Sequence, residues 1–140
     1  MELPANIRGM VTVDIEEEGI IKIKILPNAS IDVDTARDIV ERAGDIAGSY
    51  IHANLVDIRK MVFMSREARA YLGKQDKSIV IAVAILMNSV FHGTLSNLYL
   101  TITKPRIPTK IFDREVNALD WLRKLLSDIP DDKILKKTSA

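Results

Sequence analysis

Cysteine is absent from the 140 residues, and histidine occurs only twice, as His52 and His92. A chain without thiols forms no disulfide and offers no cysteine nucleophile or cysteine metal ligand, which fits a reducing cytoplasm. Neither histidine has a second histidine or a cysteine at ligand spacing, so we expect no metal site. The composition therefore predicts a cytoplasmic protein without a metal or other cofactor.

Aromatic residues are few, at 5%, and neither sign of charge dominates, because 20 basic and 19 acidic side chains leave a net charge of +1. Such a balance produces no overall field that attracts nucleic acid or an anionic membrane. The basic loop "KPRIPTK", residues 104–110, has no interleaved aromatic residue for base stacking. We therefore expect no nucleic-acid partner.

Long apolar runs are also missing. The longest, "IVIAVAILM" at residues 79–87, is about half of a membrane span, and "MELPANIRGM" lacks the basic and apolar regions of a secretion signal. We expect a soluble, unsecreted protein with no integral membrane association. The length predicts a single domain over residues 1–130, and the weakly apolar end predicts a frayed tail over residues 131–140.

The chain does contain segments whose apolar residues recur with the period of a strand, followed by segments in which they recur with the period of a helix. Residues 11–25 alternate as a hairpin turned at "EEEG", and apolar residues from Ala36 to Tyr50 recur at helical spacing after the capping stretch "NASIDVD". The segments "ANLVDI", "IVIAVAILM" and "TKIF" read as strands. Asp113 is predicted to cap a last helix with an apolar stripe from Ala118 to Ile129.

Two segments between these strands are predicted to be helical. Ser65 in "VFMSREAR" is placed to cap a short helix that ends near Gly73. Residues 88–104 suit a helix, although 99–103 also alternate as a strand. The order of elements predicts an α/β fold with a mixed, mostly parallel sheet of about five strands, an antiparallel N-terminal hairpin and about four helices.

The hairpin, "NLVDI", the apolar "VFM" before a helix-starting serine and the closing "IFDREVNALDWLRK" together resemble SpoIIAA-like, or STAS-like, domains, above all a branch of short bacterial proteins. In anti-sigma-factor antagonists of this superfamily, an apolar pair leads into Asp-Ser-Ser-Gly or Asp-Thr-Ser-Gly, and a kinase phosphorylates the first hydroxyl residue. With Phe63 and Met64 matched to that pair, Ser65 takes the aspartate position and Arg66 the phosphoacceptor position. Asp57 matches an aspartate that is common in the family.

These positions define a candidate phosphorylation or partner-contact site made of Asp57, Ser65, Arg66 and Arg69. Ser65 can be a helix cap, or it can accept a phosphate at a helix N-terminus beside two arginines. Asp57, at the end of a strand, can orient a ligand or accept N–H groups from the next loop. Trp121 is expected to be half-buried core.

The resemblance implies a non-enzymatic regulatory module that contacts an unknown protein partner, with a homodimer as one form of that contact. An alternative from a different class is binding of a small apolar or lipid-like ligand in a SEC14-like manner, because related folds carry lipids. A third, enzymatic hypothesis needs Asp57 and His92 to be close in space. His92 and Ser96 share a helical spacing, but the sequence shows no acid or oxyanion hole to complete a nucleophilic pair.

Overall fold

The structure is a computed structural model that describes residues 5–75, 79–88 and 107–137. Eight strands and three α-helices lie within these ranges, followed by a 3-10 turn at Asp131–Lys133. The strands are β1 (Ala5–Ile7), β2 (Val11–Glu17), β3 (Ile20–Ile25), β4 (Ser30–Ile31), β5 (His52–Asp57), β6 (Phe63–Met64), β7 (Val80–Leu86) and β8 (Thr109–Phe112). The helices are α1 (Val33–Ala47), α2 (Arg66–Gly73) and α3 (Glu115–Leu126).

Six strands form one mixed sheet in the order β1-β2-β3-β5-β7-β8. Strands β1, β2 and β3 are antiparallel neighbours, whereas β3, β5, β7 and β8 are joined by parallel pairing. The β2–β3 hairpin follows the alternation of its sequence, with Val11 and Val13 buried and Asp14 exposed. Strands β4 and β6 form a separate parallel pair, and β4 leads into α1 as β6 leads into α2.

The sheet is covered on both faces. Helices α1 and α2 pack on one face, where buried residues such as Ile23, Ile31 and Ile39 form an aliphatic core. Helix α3 packs on the other face, where Leu122 and Leu126 meet Leu55. Because successive strand residues point to opposite faces, the side chains of a central strand contact the two cores alternately.

The predicted fold class is confirmed, and the element count differs in detail. The described residues contain three α-helices rather than four, because the helix predicted over residues 88–104 falls almost wholly outside the described ranges. The sheet has one more strand than expected, β1, and the pair β4–β6 was not predicted. These three strands are two or three residues long, too short to show a hydrophobic period.

Two local predictions need correction. Helix α3 begins after Arg114, and no side chain caps it, so Asp113 is not its cap. The predicted frayed tail is instead held in place as far as Lys137. Leu135 is buried, its N–H donates to the Ile51 carbonyl, and its own carbonyl accepts from the Gly19 N–H. A short extended segment with one core-facing leucine can thus anchor a polar tail through backbone hydrogen bonds.

Candidate functional site

Ser65 occupies the N-terminal cap of α2. Its Oγ accepts a hydrogen bond from the Ala68 N–H at 3.1 Å, and its own N–H donates to the Ile31 carbonyl at 2.9 Å. The backbone of Ser65 is extended, with φ −65° and ψ 157°, as a cap residue requires. The predicted cap is therefore confirmed, and the β4–β6 pairing fixes where α2 begins.

Large apolar side chains are exposed immediately before this cap. Val62 is 65% exposed and Phe63 is 59% exposed, and the next helical residue after the cap, Arg66, is also exposed. A single exposed apolar residue is ordinary on a protein surface, but two adjacent large ones beside a helix N-terminus form a small patch. We call Val62, Phe63, Ser65 and Arg66 the α2 entry patch.

Asp57 ends β5 and is bound by the loop that follows it. Its Oδ1 accepts from the Arg59 N–H at 3.1 Å and from Arg59 Nε at 3.0 Å, and its Oδ2 accepts from Arg59 Nη2 at 2.8 Å. Burial alone raises the pKa of Asp57, but the hydrogen bonds from Arg59 outweigh it and hold the pKa below its usual value. The structural role predicted for Asp57, accepting N–H groups from the next loop, is confirmed.

A balanced charge cluster surrounds Asp57 on the α3 side of the sheet. Glu115, the first residue of α3, accepts from Lys22 Nζ at 3.2 Å and lies 3.7 Å from Arg59 Nη2. Two cations and two carboxylates thus share one site, and no net charge is left to attract an ion. This arrangement ties β3, β5 and the start of α3 together.

A cavity of about 570 Å³ lies on the opposite face, between the sheet and helices α1 and α2. Its wall is mostly aliphatic, and its volume is typical of sites that bury a small organic molecule. The residues that shape it include Ile39, Val40, Ala43, Val56, Ile58, Met61, Val62, Phe63, Met64, Leu72, Val83, Ile85, Met87 and Ile111. Val62 and Phe63 of the α2 entry patch therefore also border the cavity.

Polar side chains interrupt this apolar wall, and three of them are incompletely hydrogen-bonded: His52, Asn54 and Arg69. Each has one buried polar atom without a hydrogen-bond partner among the described residues, namely Nε2 of His52, Oδ1 of Asn54 and Nε of Arg69. A buried polar atom left unpaired costs about 1–3 kcal/mol. His52 is 1% exposed, and burial lowers the pKa of its ring.

The structure separates the four predicted site residues. Ser65, Arg66 and Arg69 share α2, with Arg66 outside and Arg69 at the cavity wall. Asp57 belongs to the charge cluster on the other face, and within the described ranges no hydrogen bond or ion pair joins it to the other three. His92 lies outside the described residues, as does Ser96, so the Asp57–His92 pairing has no described geometry.

Sequence reasoning missed His52 and Asn54 as a pair. They are two residues apart in β5 and therefore face the same side of the sheet. That spacing was visible in "HANLVD", but the sequence does not show that both side chains line a cavity. Among the described residues, no group of histidine and carboxylate side chains is arranged to hold a metal ion.

In the part of the chain that the structure describes, no helix combines the length and the apolarity needed to cross a membrane.

Several solved structures are similar to this chain in fold or in sequence. An uncharacterised protein of the DUF3478 family from Shewanella loihica PV-4, with a SpoIIAA-like fold, has a TM-score of 0.61 and 18% identity over 86% of this chain and 99% of its own. An anti-sigma factor antagonist from Mycobacterium paratuberculosis has a TM-score of 0.52 and 17% identity over 85% and 99%. A protein of unknown function from Arthrobacter sp. FB24 is 32% identical over 74% and 91%, but its TM-score of 0.29 indicates poor superposition.

The first two structures show that the chain has a SpoIIAA-like fold. No curated protein matches the sequence significantly. A family model described as "Domain of unknown function (DUF7793)" matches residues 13–126, which include every strand from β3 to β8 and all three helices. The chain belongs to this DUF7793 family, and it has the SpoIIAA-like fold.

Proposed function

We propose that the chain is a non-enzymatic regulatory module that acts by contact with a protein partner, and that the α2 entry patch is the contact surface. The observation that carries this proposal is the exposure of Val62 and Phe63, at 65% and 59%, directly before the capped start of α2. Burying two large apolar side chains of this kind supplies a core for a modest interface.

The charges around the patch indicate the chemistry of the partner. Lys60 and Arg66, three residues before and after Phe63 in the sequence, are exposed, and neither is paired with a carboxylate within the described ranges. The positive end of the α2 dipole adds to their field. We therefore infer a partner whose surface combines an apolar pocket with acidic side chains.

A lack of catalysis is part of the same proposal. Asp57, a buried carboxylate and the strongest candidate for a general base, is held by three hydrogen bonds from Arg59, and its pKa is lowered. A carboxylate with a lowered pKa is a weak base at neutral pH. This geometry supports a structural role for Asp57 and gives no support to enzymatic chemistry there.

Photocrosslinking in the cells that produce the protein tests the contact. Phe63 is replaced by p-benzoylphenylalanine, and Tyr50, which is 47% exposed in another part of the surface, is replaced in a matched control. We expect a discrete crosslinked product from position 63 and none from position 50. A product of twice the chain mass identifies a homodimer, whereas crosslinks of equal yield at both positions, or none at position 63, contradict the proposal.

Phosphorylation of Ser65 is a second element of the proposed regulation. A phosphate there would lie at the N-terminus of α2 near Arg66, where its oxygens can accept the N–H groups that the hydroxyl now caps. Intact-mass measurement of the protein from its native cells tests this, since a phosphate adds about 80 Da. If no growth condition yields the adduct, the proposed regulation by phosphate is wrong, while the contact proposal still rests on crosslinking.

A second candidate function is binding of a small apolar or lipid-like ligand in the SEC14-like manner. The observation that favours it is the cavity of about 570 Å³ with its aliphatic wall on the α1/α2 face. Native mass spectrometry after gentle purification provides the test. A retained ligand mass supports this function, and a chain that never carries or takes up an apolar molecule excludes it.

A further inference from the structure

The cavity wall combines an aliphatic surface with a few polar side chains. His52 and Asn54 leave β5 on the same face, with their Cα atoms about 7 Å apart by strand geometry. Arg69 reaches the same cavity from α2. The other two polar side chains of the wall are already satisfied, since Gln75 donates to the Tyr71 carbonyl and Thr109 donates to the Ile107 carbonyl. The unpaired atoms are thus concentrated on three side chains.

We propose that the cavity binds an amphiphile with one aliphatic chain and one carboxylate head group, and that Arg69, His52 and Asn54 hold the head group. This inference rests on the second candidate function and specifies its ligand class. The aliphatic wall takes the chain of the ligand, and the unpaired polar atoms take its head.

Charge complementarity favours an anionic head over a neutral one. The guanidinium of Arg69 forms no ion pair within the described residues, so the cavity wall carries an uncompensated positive charge. A carboxylate accepts charge-assisted hydrogen bonds from a guanidinium, and these are about twice as strong as bonds between neutral groups. Asn54 can donate a hydrogen bond from its side-chain amide N–H after a half-turn of the amide. This rotation breaks no hydrogen bond, because Oδ1 has no partner among the described residues.

His52 makes the binding dependent on protons. Its Nδ1 lies 3.3 Å from the Tyr50 carbonyl, which only accepts, so Nδ1 carries the proton and the neutral ring presents an acceptor at Nε2. Burial lowers the pKa of the ring, which favours its neutral form at pH 7. A carboxylate beside Nε2 favours the protonated ring, whose Nε2–H then donates to the ligand. We therefore expect the His52 ring to take up a proton when the carboxylate binds.

No other described charge on the cavity wall competes with this effect. Apart from His52, Arg69 is the one titratable residue that borders the cavity within the described ranges. The other described lining residues, which come from β3, α1, β5, β6, α2, β7, β8 and the loops between them, are all uncharged.

Isothermal titration calorimetry with decanoate, decan-1-ol and acetate tests the proposal on the full chain. We expect decanoate to bind in a saturable way, acetate to show no binding, and Arg69→Gln to weaken decanoate at least tenfold. The same substitution should change the affinity for decan-1-ol less than threefold. Arg42→Gln is the matched control, because Arg42 is an exposed arginine of α1 that does not border the cavity.

Proton uptake gives a second measurement on the unmodified chain, in case Arg69→Gln does not fold. The decanoate titration is repeated at pH 7 in buffers of different ionisation enthalpy, and the His52 ring is followed by ¹⁵N NMR. We expect uptake of a proton on binding, a ring that changes from neutral to doubly protonated, and an affinity that rises as the pH falls from 8 to 6.

Two results would overturn the proposal in different ways. If decanoate and decan-1-ol bind equally and Arg69→Gln weakens neither, the head-group inference is wrong and the apolar-ligand function survives. If none of the probes binds, both the inference and that function are wrong. A loss of decanoate binding in Arg42→Gln equal to that in Arg69→Gln would also contradict the assigned role of Arg69.

Discussion

The sheet face under α3 is close-packed and its polar groups are paired, whereas the face under α1 and α2 encloses a cavity and leaves buried polar atoms unpaired. Alanines on the central strands explain part of this difference. Ala53, Ala82 and Ala84 of β5 and β7 lie in the core under α3, and they allow the helix to approach the strands closely. On the other face, branched side chains and α2, only eight residues long, enclose open space.

The two faces of the sheet therefore differ in role: the α3 face mainly stabilises the fold, whereas the cavity face is suited to binding. The α3 face obtains its stability from tight packing and from the Asp57 charge cluster, so most substitutions there should affect folding. The cavity face keeps three unpaired polar atoms that weaken folding, and such groups persist at sites where a ligand completes their hydrogen bonds.

Truncating one leucine on each face of the sheet should lower the free energy of unfolding by unequal amounts. Leu122 of α3 is fully buried, and Leu122→Ala should lower the free energy of unfolding by about 3 kcal/mol, because it opens a new cavity in a packed core. Leu72 of α2 already borders the open cavity, so Leu72→Ala should cost only about 1 kcal/mol. Urea denaturation measures both. Equal losses would mean that the cavity face is packed as tightly as the α3 face.

Asp57→Ala should cost about 2 kcal/mol of stability, because it leaves Arg59 and Lys22 with Glu115 as their only ion-pair partner among the described residues. Asp45→Ala, at an exposed position of α1, is the control and should change stability by less than about 0.5 kcal/mol. Unfolding by urea at pH 7 gives both values. A loss at Asp57 no larger than at Asp45 would show that the charge cluster is not stabilising.

The same pair of variants tests the pH dependence of the cluster. The pKa of Asp57 is lower in the folded chain than its ordinary value, so its contribution is fully present above about pH 4, near the pKa of an unfolded aspartate. It is lost as the pH falls through the lower folded pKa. The difference in stability between the wild type and Asp57→Ala should therefore shrink in acid, and a difference that stays constant to pH 2 would contradict the lowered pKa.

A glycine in the β2–β3 turn limits how the α3 face can change. Gly19 has a φ of +77°, and a Cβ added there would lie 3.1 Å from Leu126 Cδ1. Gly19→Ala should cost about 2 kcal/mol, from the left-handed backbone and from the displaced leucine. Gly9→Ala has a similar φ of +70° but open space around it, and should cost about 1 kcal/mol. Thermal unfolding compares them, and equal losses would exclude the contact with Leu126 as a cause.

The sequence predicted the elements that have a hydrophobic period and missed those that depend on tertiary geometry. The alternation in residues 11–25 was enough to predict the hairpin, and the placement of Ser65 was enough to predict the start of α2. Two- and three-residue strands have no period to read, and Leu135 is anchored by backbone bonds to Ile51 and Gly19 that no local pattern encodes. Local sequence patterns therefore predicted the fold class, but not the short strands or the anchored C-terminal segment.

The candidate site was predicted only in part for the same reason. Spacing alone placed Ser65, Arg66 and Arg69 on one helix, but it could not show that Arg66 faces solvent and Arg69 faces a cavity. The described wall of that cavity comes from five strands and two helices, so its volume and its unpaired atoms appear only when the layers are assembled. Asp57 matched the family pattern, yet the structure places it on the opposite face from the cavity.

The smallest predicted effect concerns Ser65, a side chain that both caps α2 and belongs to the proposed contact surface. Ser65→Ala removes the oxygen that accepts the Ala68 N–H, and should lower the free energy of unfolding by about 1 kcal/mol. Ser65→Asp supplies another good cap and should stay within about 0.5 kcal/mol of the wild type. Ser49→Ala, at an exposed position outside the helices, is the control. If Ser65→Asp destabilises as much as Ser65→Ala, the N-terminus of α2 does not tolerate an anion, and the proposed phosphate at Ser65 loses its physical basis.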